Sequence, residues 1–204
     1  MESKRPPLEL PHPSDRLLTK KFWSTSGRDI VFETPVLSLR RDRKQRPTEP
    51  PGSGDSRDFF VIEAVDWVNV IPWTEDDEVV FIDHYRHGID GISLEVPGGM
   101  IDPEDASPMV AAAREMREET GYAAQELVEL GVVHPNPAIQ ENRCFTFLAK
   151  NARLVGEPQP DDTEDIDVVR YPRRDIPGLL RDGKISHALV VAALFWWFQY
   201  EEKL

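Results

Sequence analysis

The chain contains one cysteine, Cys144, among 204 residues. No disulfide can form within it, and this pattern suits a reducing cytoplasm. In the run Arg143-Cys144-Phe145-Thr146-Phe147, a single Cys reads as a small core residue of a strand, not as a nucleophile. Long apolar runs are missing too. The longest, residues 188–198, falls short of the roughly 20 residues that a bilayer requires. It reads as a buried helix, so no membrane partner is expected. The opening residues MESKRPPLELPHPS lack the apolar core of a secretory signal. Basic residues are scarce: 24 Lys and Arg stand against 37 Asp and Glu, a net charge of −13. That balance argues against a nucleic-acid partner, whose phosphates select basic faces. There are no internal repeats, and low complexity is confined to Pro-rich pieces.

What is present is concentrated in residues 98–122, GGMIDPEDASPMVAAAREMREETGY. Ser107 followed by Pro108 marks a helix start, because Ser caps and Pro suits the first helical position. Gly121 marks its stop. Between them Met109, Ala112, Ala113, Met116 and Thr120 follow a helical rhythm and predict a core-facing stripe. Glu115, Glu118 and Glu119 share another face. Like-charge neighbours on a helix cost about 0.2–0.5 kcal/mol per pair, and the last turn disfavours anions. Arg114 and Arg117 offset part of this; a divalent cation, which takes oxygen ligands, would offset more. Taken alone, such a triplet reads equally as a solvated acidic face.

The stretch resembles the Nudix box. The segment Arg114-Glu115-Met116-Arg117-Glu118-Glu119-Thr120-Gly121-Tyr122 matches its second half, with Tyr122 where an aliphatic residue is usual. In the first half, Gly99 is followed after five residues by Asp105 instead of Glu, and one residue is inserted before Arg114. Glu104 or Asp105 then stands in for the Glu that braces the Arg in that family. The resemblance implies an α/β fold, an α/β/α sandwich around a mixed sheet, here with an N-terminal β-strand extension. It implies hydrolysis of a nucleoside diphosphate linked to another group, with Mg2+ or Mn2+ holding the phosphate oxygens. By resemblance Glu115 and Glu119 are metal ligands, Glu118 a further ligand or base, and the carbonyl of Gly98 or Gly99 an additional ligand. Glu164, in an acidic loop, is the candidate base; it reads equally as a solvated residue.

The flanks resemble the ADP-ribose and nucleotide-sugar pyrophosphatases. Leu94-Glu95-Val96-Pro97 precedes the glycines, and Pro137 lies sixteen residues beyond Gly121. Tyr85-Arg86 resembles that group's Gln-x-Arg strand end, with His84 where Gln is usual. Arg86 is a candidate phosphate clamp, since a guanidinium binds phosphate through two parallel bonds, or the partner in a surface salt bridge. Arg86, Glu95 and Pro137 are therefore the candidate substrate contacts. His84, His87 and His134 read as ordinary polar residues. Trp67 and Trp73 read as core residues or as stacking surfaces for a base. ADP-ribose, cleaved to AMP and ribose 5-phosphate, is the leading substrate; a GDP-mannose-type sugar and a non-catalytic binding module are the alternatives.

Along the chain, residues 1–17 are expected to form a disordered tail. Residues 18–57 form an N-terminal β region and linker. Strands are expected at 20–25 and 29–39 about a Ser26-Gly27 turn, then a long polar loop over 40–58. By resemblance this region builds a homodimer. Residues 58–204 form the Nudix domain. Strands are expected within 59–71, ended by Pro72, and at 78–85, 94–97, 126–133, 143–149 and 166–171. A short helix capped by Asp175 and a last helix from Ser186 complete it.

Overall fold

The computed structural model describes residues 22–46, 54–161 and 164–202. The expected tail, residues 1–17, and the first residues of the first expected strand lie outside them. The chain divides into two compact units, residues 1–34 with 38–61, and residues 35–37 with 62–204.

The first unit is a three-stranded antiparallel sheet, β1 (Ser24–Glu33), β2 (Ser38–Gln45) and β3 (Ser56–Glu63), in that order. Two expectations are corrected here. Ser26-Gly27 is not a turn; β1 runs through it, with a register shift against β2 between Thr25 and Gly27. The charged residues 40–45 are a strand, not a loop. Their charges are paired along and across the sheet: buried Asp42 takes Arg40 Nε of its own strand at 2.8 Å and Arg28 Nε of β1 at 3.3 Å. Arg41 reaches Asp29 at 2.6 Å.

The second unit is built on a seven-stranded mixed sheet. Its strands are β4 (Trp67–Thr74), β5 (Glu78–Arg86), β6 (Gly91–Glu95), β7 (Tyr122–Ala123), β8 (Glu126–Val133), β9 (Cys144–Leu154) and β10 (Ile166–Pro172). The main path runs β10-β5-β4-β9-β7, with β6 on β5 and β8 on β9. The β4–β9 pair is parallel and the others are antiparallel. Pro72 does not end β4 but sits inside it, opposite Ala149. The amides of Val68 and Val70 point away from β9, to Gly99 O and Pro97 O, both at 2.9 Å. Pro72 is next on that side, so its missing N–H costs the β9 ladder nothing.

Helices cover both faces, as the expected sandwich requires. Val68, Val70, Val80 and Phe147 form a core with Ala111, Ala112 and Met116 of helix α1 (Pro108–Thr120). The opposite core joins Ile71, Val79, Phe81 and Leu148 to Ile176 of α2 (Ile176–Arg181) and to Val190, Leu194 and Trp197 of α3 (Ala188–Glu201). Trp73 belongs to this second core, edge-on to Trp197 at 5.8 Å. Asp175 precedes α2 but makes no side-chain capping bond. The last helix starts at Ala188, two residues later than expected. Among the described residues no helix is long and apolar enough to cross a membrane.

Candidate active site

Helix α1 forms where the sequence places it. Ser107 Oγ accepts the Val110 amide at 3.3 Å, and Gly121 closes the helix with φ +72°. Its buried stripe differs from expectation. Met109 is exposed, while Glu115 and Glu119 are buried with Ala111, Ala112, Met116 and Thr120. The three glutamates therefore do not share a solvated face. Glu115 and Glu119 turn in against the glycines, and only Glu118, with a side chain 45% exposed, stays at the edge.

The two glycines permit this approach. Gly98 N donates to Glu119 Oε2 at 2.7 Å. A Cβ on Gly99 would collide with the Glu115 carboxylate, and one on Gly98 with Val68 O. Gly99 O accepts the Val68 amide at 2.9 Å, which leaves it one lone pair. Arg114 organises the same corner. Its Nε and NH2 donate to Asp105 at 3.3 and 2.9 Å, and NH1 donates to Glu115 and Glu118, both at 3.0 Å. Of the two acids the sequence left open, Asp105 braces the arginine; Glu104 is exposed. The hydrogen bond from Arg114 holds the Asp105 carboxyl below its ordinary value.

These residues open onto a cleft of about 820 Å³, lined among others by Trp67, Arg86, Glu95, Gly99, Glu115 and Glu118. Glu164 lines it as well, its Oε2 accepting the Asp161 amide at 3.0 Å. Arg86 is paired with Glu95 through bonds of 2.9 and 2.8 Å. Those bonds raise the Arg86 pKa. Burial works to raise that of Glu95, but Arg86 outweighs it and holds the carboxyl below its ordinary value. Two of the three candidate substrate contacts, Arg86 and Glu95, are thus in the cleft, with Arg86 already braced. Pro137 is not: it lies on an exposed turn and does not line the cleft. Sequence reasoning missed two residues here. His187, just before α3, places Nε2 4.0 Å from Glu95 Oε2. His84 is buried with Nδ1 4.0 Å from Glu119 Oε1. The parity of His84 with Val80 on β5, which directs it toward α1, was the available signal.

The electrostatics suit a cation. Burial lifts Glu115 to about 7 even against the Arg114 charge, and lifts Glu119 well above the carboxylate range. Burial and Arg86 push the His84 pKa down. Glu119 Oε1 is buried with no hydrogen-bond partner. An oxygen left in that state carries a desolvation cost of about 1–3 kcal/mol, which an ion removes. Among the described residues no three His, Cys, Asp or Glu side chains already enclose a common point. An ion held by Glu115 and Glu119 would thus need further ligands that are not already gathered round it, and Mg2+ commonly takes several of these from water or substrate.

Known proteins resemble this chain. The chain is 28% identical over 176 residues to an ADP-ribose pyrophosphatase of Mycobacterium tuberculosis, covering 84% of this chain and 81% of that one. It is 22% identical over 171 residues to an ADP-ribose pyrophosphatase of Bacillus subtilis, covering 83% and 89%. The crystal structure of an ADP compounds hydrolase superposes with a TM-score of 0.77 at 22% identity, over 90% of this chain and 96% of that one, and so shares the fold. The NUDIX domain pattern matches residues 65–194, which hold both glycines, the braced arginine and the inward-turned glutamates. The chain therefore belongs to the Nudix family of hydrolases, which act on pyrophosphate bonds.

Proposed function

We propose that this chain hydrolyses ADP-ribose, or a closely related nucleotide sugar, to a nucleoside monophosphate and a sugar phosphate, with Mg2+ or Mn2+ as cofactor. The observation that carries this reading is the buried, unpartnered oxygen of Glu119, a side chain held by Gly98, a residue that with Glu115 lines a cleft large enough for a dinucleotide-sized ligand. The relatives named for ADP-ribose supply the substrate class. A bound cation would neutralise phosphate charge and acidify water. Glu115 and Glu119 would hold it, with Glu118 and the remaining lone pair of Gly99 O as further donors.

The chain's own residues do the rest. Glu164 accepts the proton of the attacking water. A new P–O bond forms as the P–O–P bridge breaks, and the bridging oxygen leaves with one phosphate. Arg114 acts as a positioning residue, because it holds Glu115 and Glu118 and is itself held by Asp105. Arg86, oriented by Glu95, turns its unused N–H groups to the diphosphate.

The test is a substrate panel of ADP-ribose, other ADP-sugars and GDP-mannose with Mg2+, products separated by chromatography. ADP-ribose should be cleaved fastest, EDTA should stop the reaction, and Glu119→Gln should lower kcat by about 100-fold or more with its circular dichroism unchanged. Wild-type turnover in Glu119→Gln or in EDTA would overturn the reading.

A further inference from the structure

Two atoms on the α1 face of the sheet are left unsatisfied by every contact described so far. His84 Nδ1 and Glu119 Oε1 are both buried, and neither has a hydrogen-bond partner. They lie 4.0 Å apart, on side chains 7% and 1% exposed. A hydrogen bond between them would need about 2.7–3.2 Å. One divalent ion fits the gap better, since donors bound at about 2.0–2.2 Å can stand up to roughly 4 Å apart across it.

We infer that His84 Nδ1 is a ligand to the ion held by Glu119, which makes this a mixed nitrogen–oxygen site favouring Mn2+ or Co2+ over Mg2+. The inference rests on the cation reading above. Several features of the geometry support it. The other oxygen of Glu119 is fixed by the Gly98 amide, so Oε1 is the one left to meet the imidazole. Such outer contacts orient metal ligands. His84 sits on a paired strand, between Ile166 of β10 and Ser93 of β6, and so presents its ring from a rigid support. Nitrogen donors suit transition ions, whereas Mg2+ takes oxygen.

The experiment is pulsed electron paramagnetic resonance of the full-length, tag-free protein with Mn2+ alone. Nitrogen modulation from a directly bound imidazole should appear in the wild type, persist in His187→Gln and vanish in His84→Gln. Mn2+ affinity should fall about tenfold or more in His84→Gln, and Mg2+ affinity much less. A wild-type spectrum without nitrogen coupling, while Glu119→Gln still expels the ion, overturns His84 ligation and leaves the carboxylate site standing. Coupling that survives in His84→Gln overturns it likewise. Failure of the wild type to bind Mn2+, or binding indifferent to Glu119→Gln, overturns both readings. The wild-type spectrum decides the matter even if a variant does not fold.

Discussion

At the residue scale, burial sets the chemistry. Cys144 is 1% exposed, and burial pushes its thiol up to about 12. It should therefore resist alkylation by iodoacetamide at pH 8 in the native state and react fully in urea, as mass spectrometry would show. Asp105 behaves oppositely. Its folded pKa lies below the ordinary 3.8 because Arg114 bonds its charged form. Its contribution to stability is thus complete above about pH 4 and is lost as the pH falls through the lower, folded value. Asp105→Asn should lower the urea midpoint at pH 7, and the gap from wild type should close at acidic pH. A gap that widened below pH 4 would contradict the pairing. The residue types at the site were legible in the sequence, including the Glu104 or Asp105 alternative. What was not legible was which way the glutamates face. Glu115 and Glu119 lie in the buried stripe of α1, a place that periodicity gave to Met109.

At the element scale, punctuation made α1 readable. Ser107, Pro108 and Gly121 each act locally, and the structure uses all of them. Ser107→Ala should cost about 1 kcal/mol through the lost cap. Gly121→Ala should cost about 1–2 kcal/mol or more, since φ is +72° and a Cβ would meet Gly156 O. Denaturant titration with an unchanged slope would measure both; a neutral Gly121→Ala would refute the strain. Elements whose logic is not local were misread. The charges of β2 imitate a loop until Asp29 of β1 and Asp58 of β3 are brought alongside Arg41 and Arg43 by pairing across strands. Pro72 imitates a strand end until the side carrying its missing donor is known.

At the scale of the whole molecule, the N-terminal sheet leaves several large apolar side chains exposed. Ile30, Phe32 and Phe60 are 49%, 61% and 52% exposed. We propose that these exposed side chains take part in the homodimer expected from resemblance, which should sediment at about twice 23.3 kDa. The double variant Phe32→Asp, Phe60→Asp should sediment as a monomer; an unchanged mass would remove this surface from the interface. The parallel β4–β9 pair has a different reach. β4 carries Trp67 to the cleft, while Asp66 just before it is clasped by Arg143, 77 residues on. On the ribosome, every acid from Glu95 to Glu119 emerges before β9, the strand that pairs with β4 in the sheet beneath them. The nascent chain thus passes through an interval in which it displays the cleft's side chains over an unpaired, aggregation-prone edge. Hydrolytic competence arrives late in synthesis, with residue 144 and beyond, and this enzyme's dependence on chaperones should be concentrated in that interval.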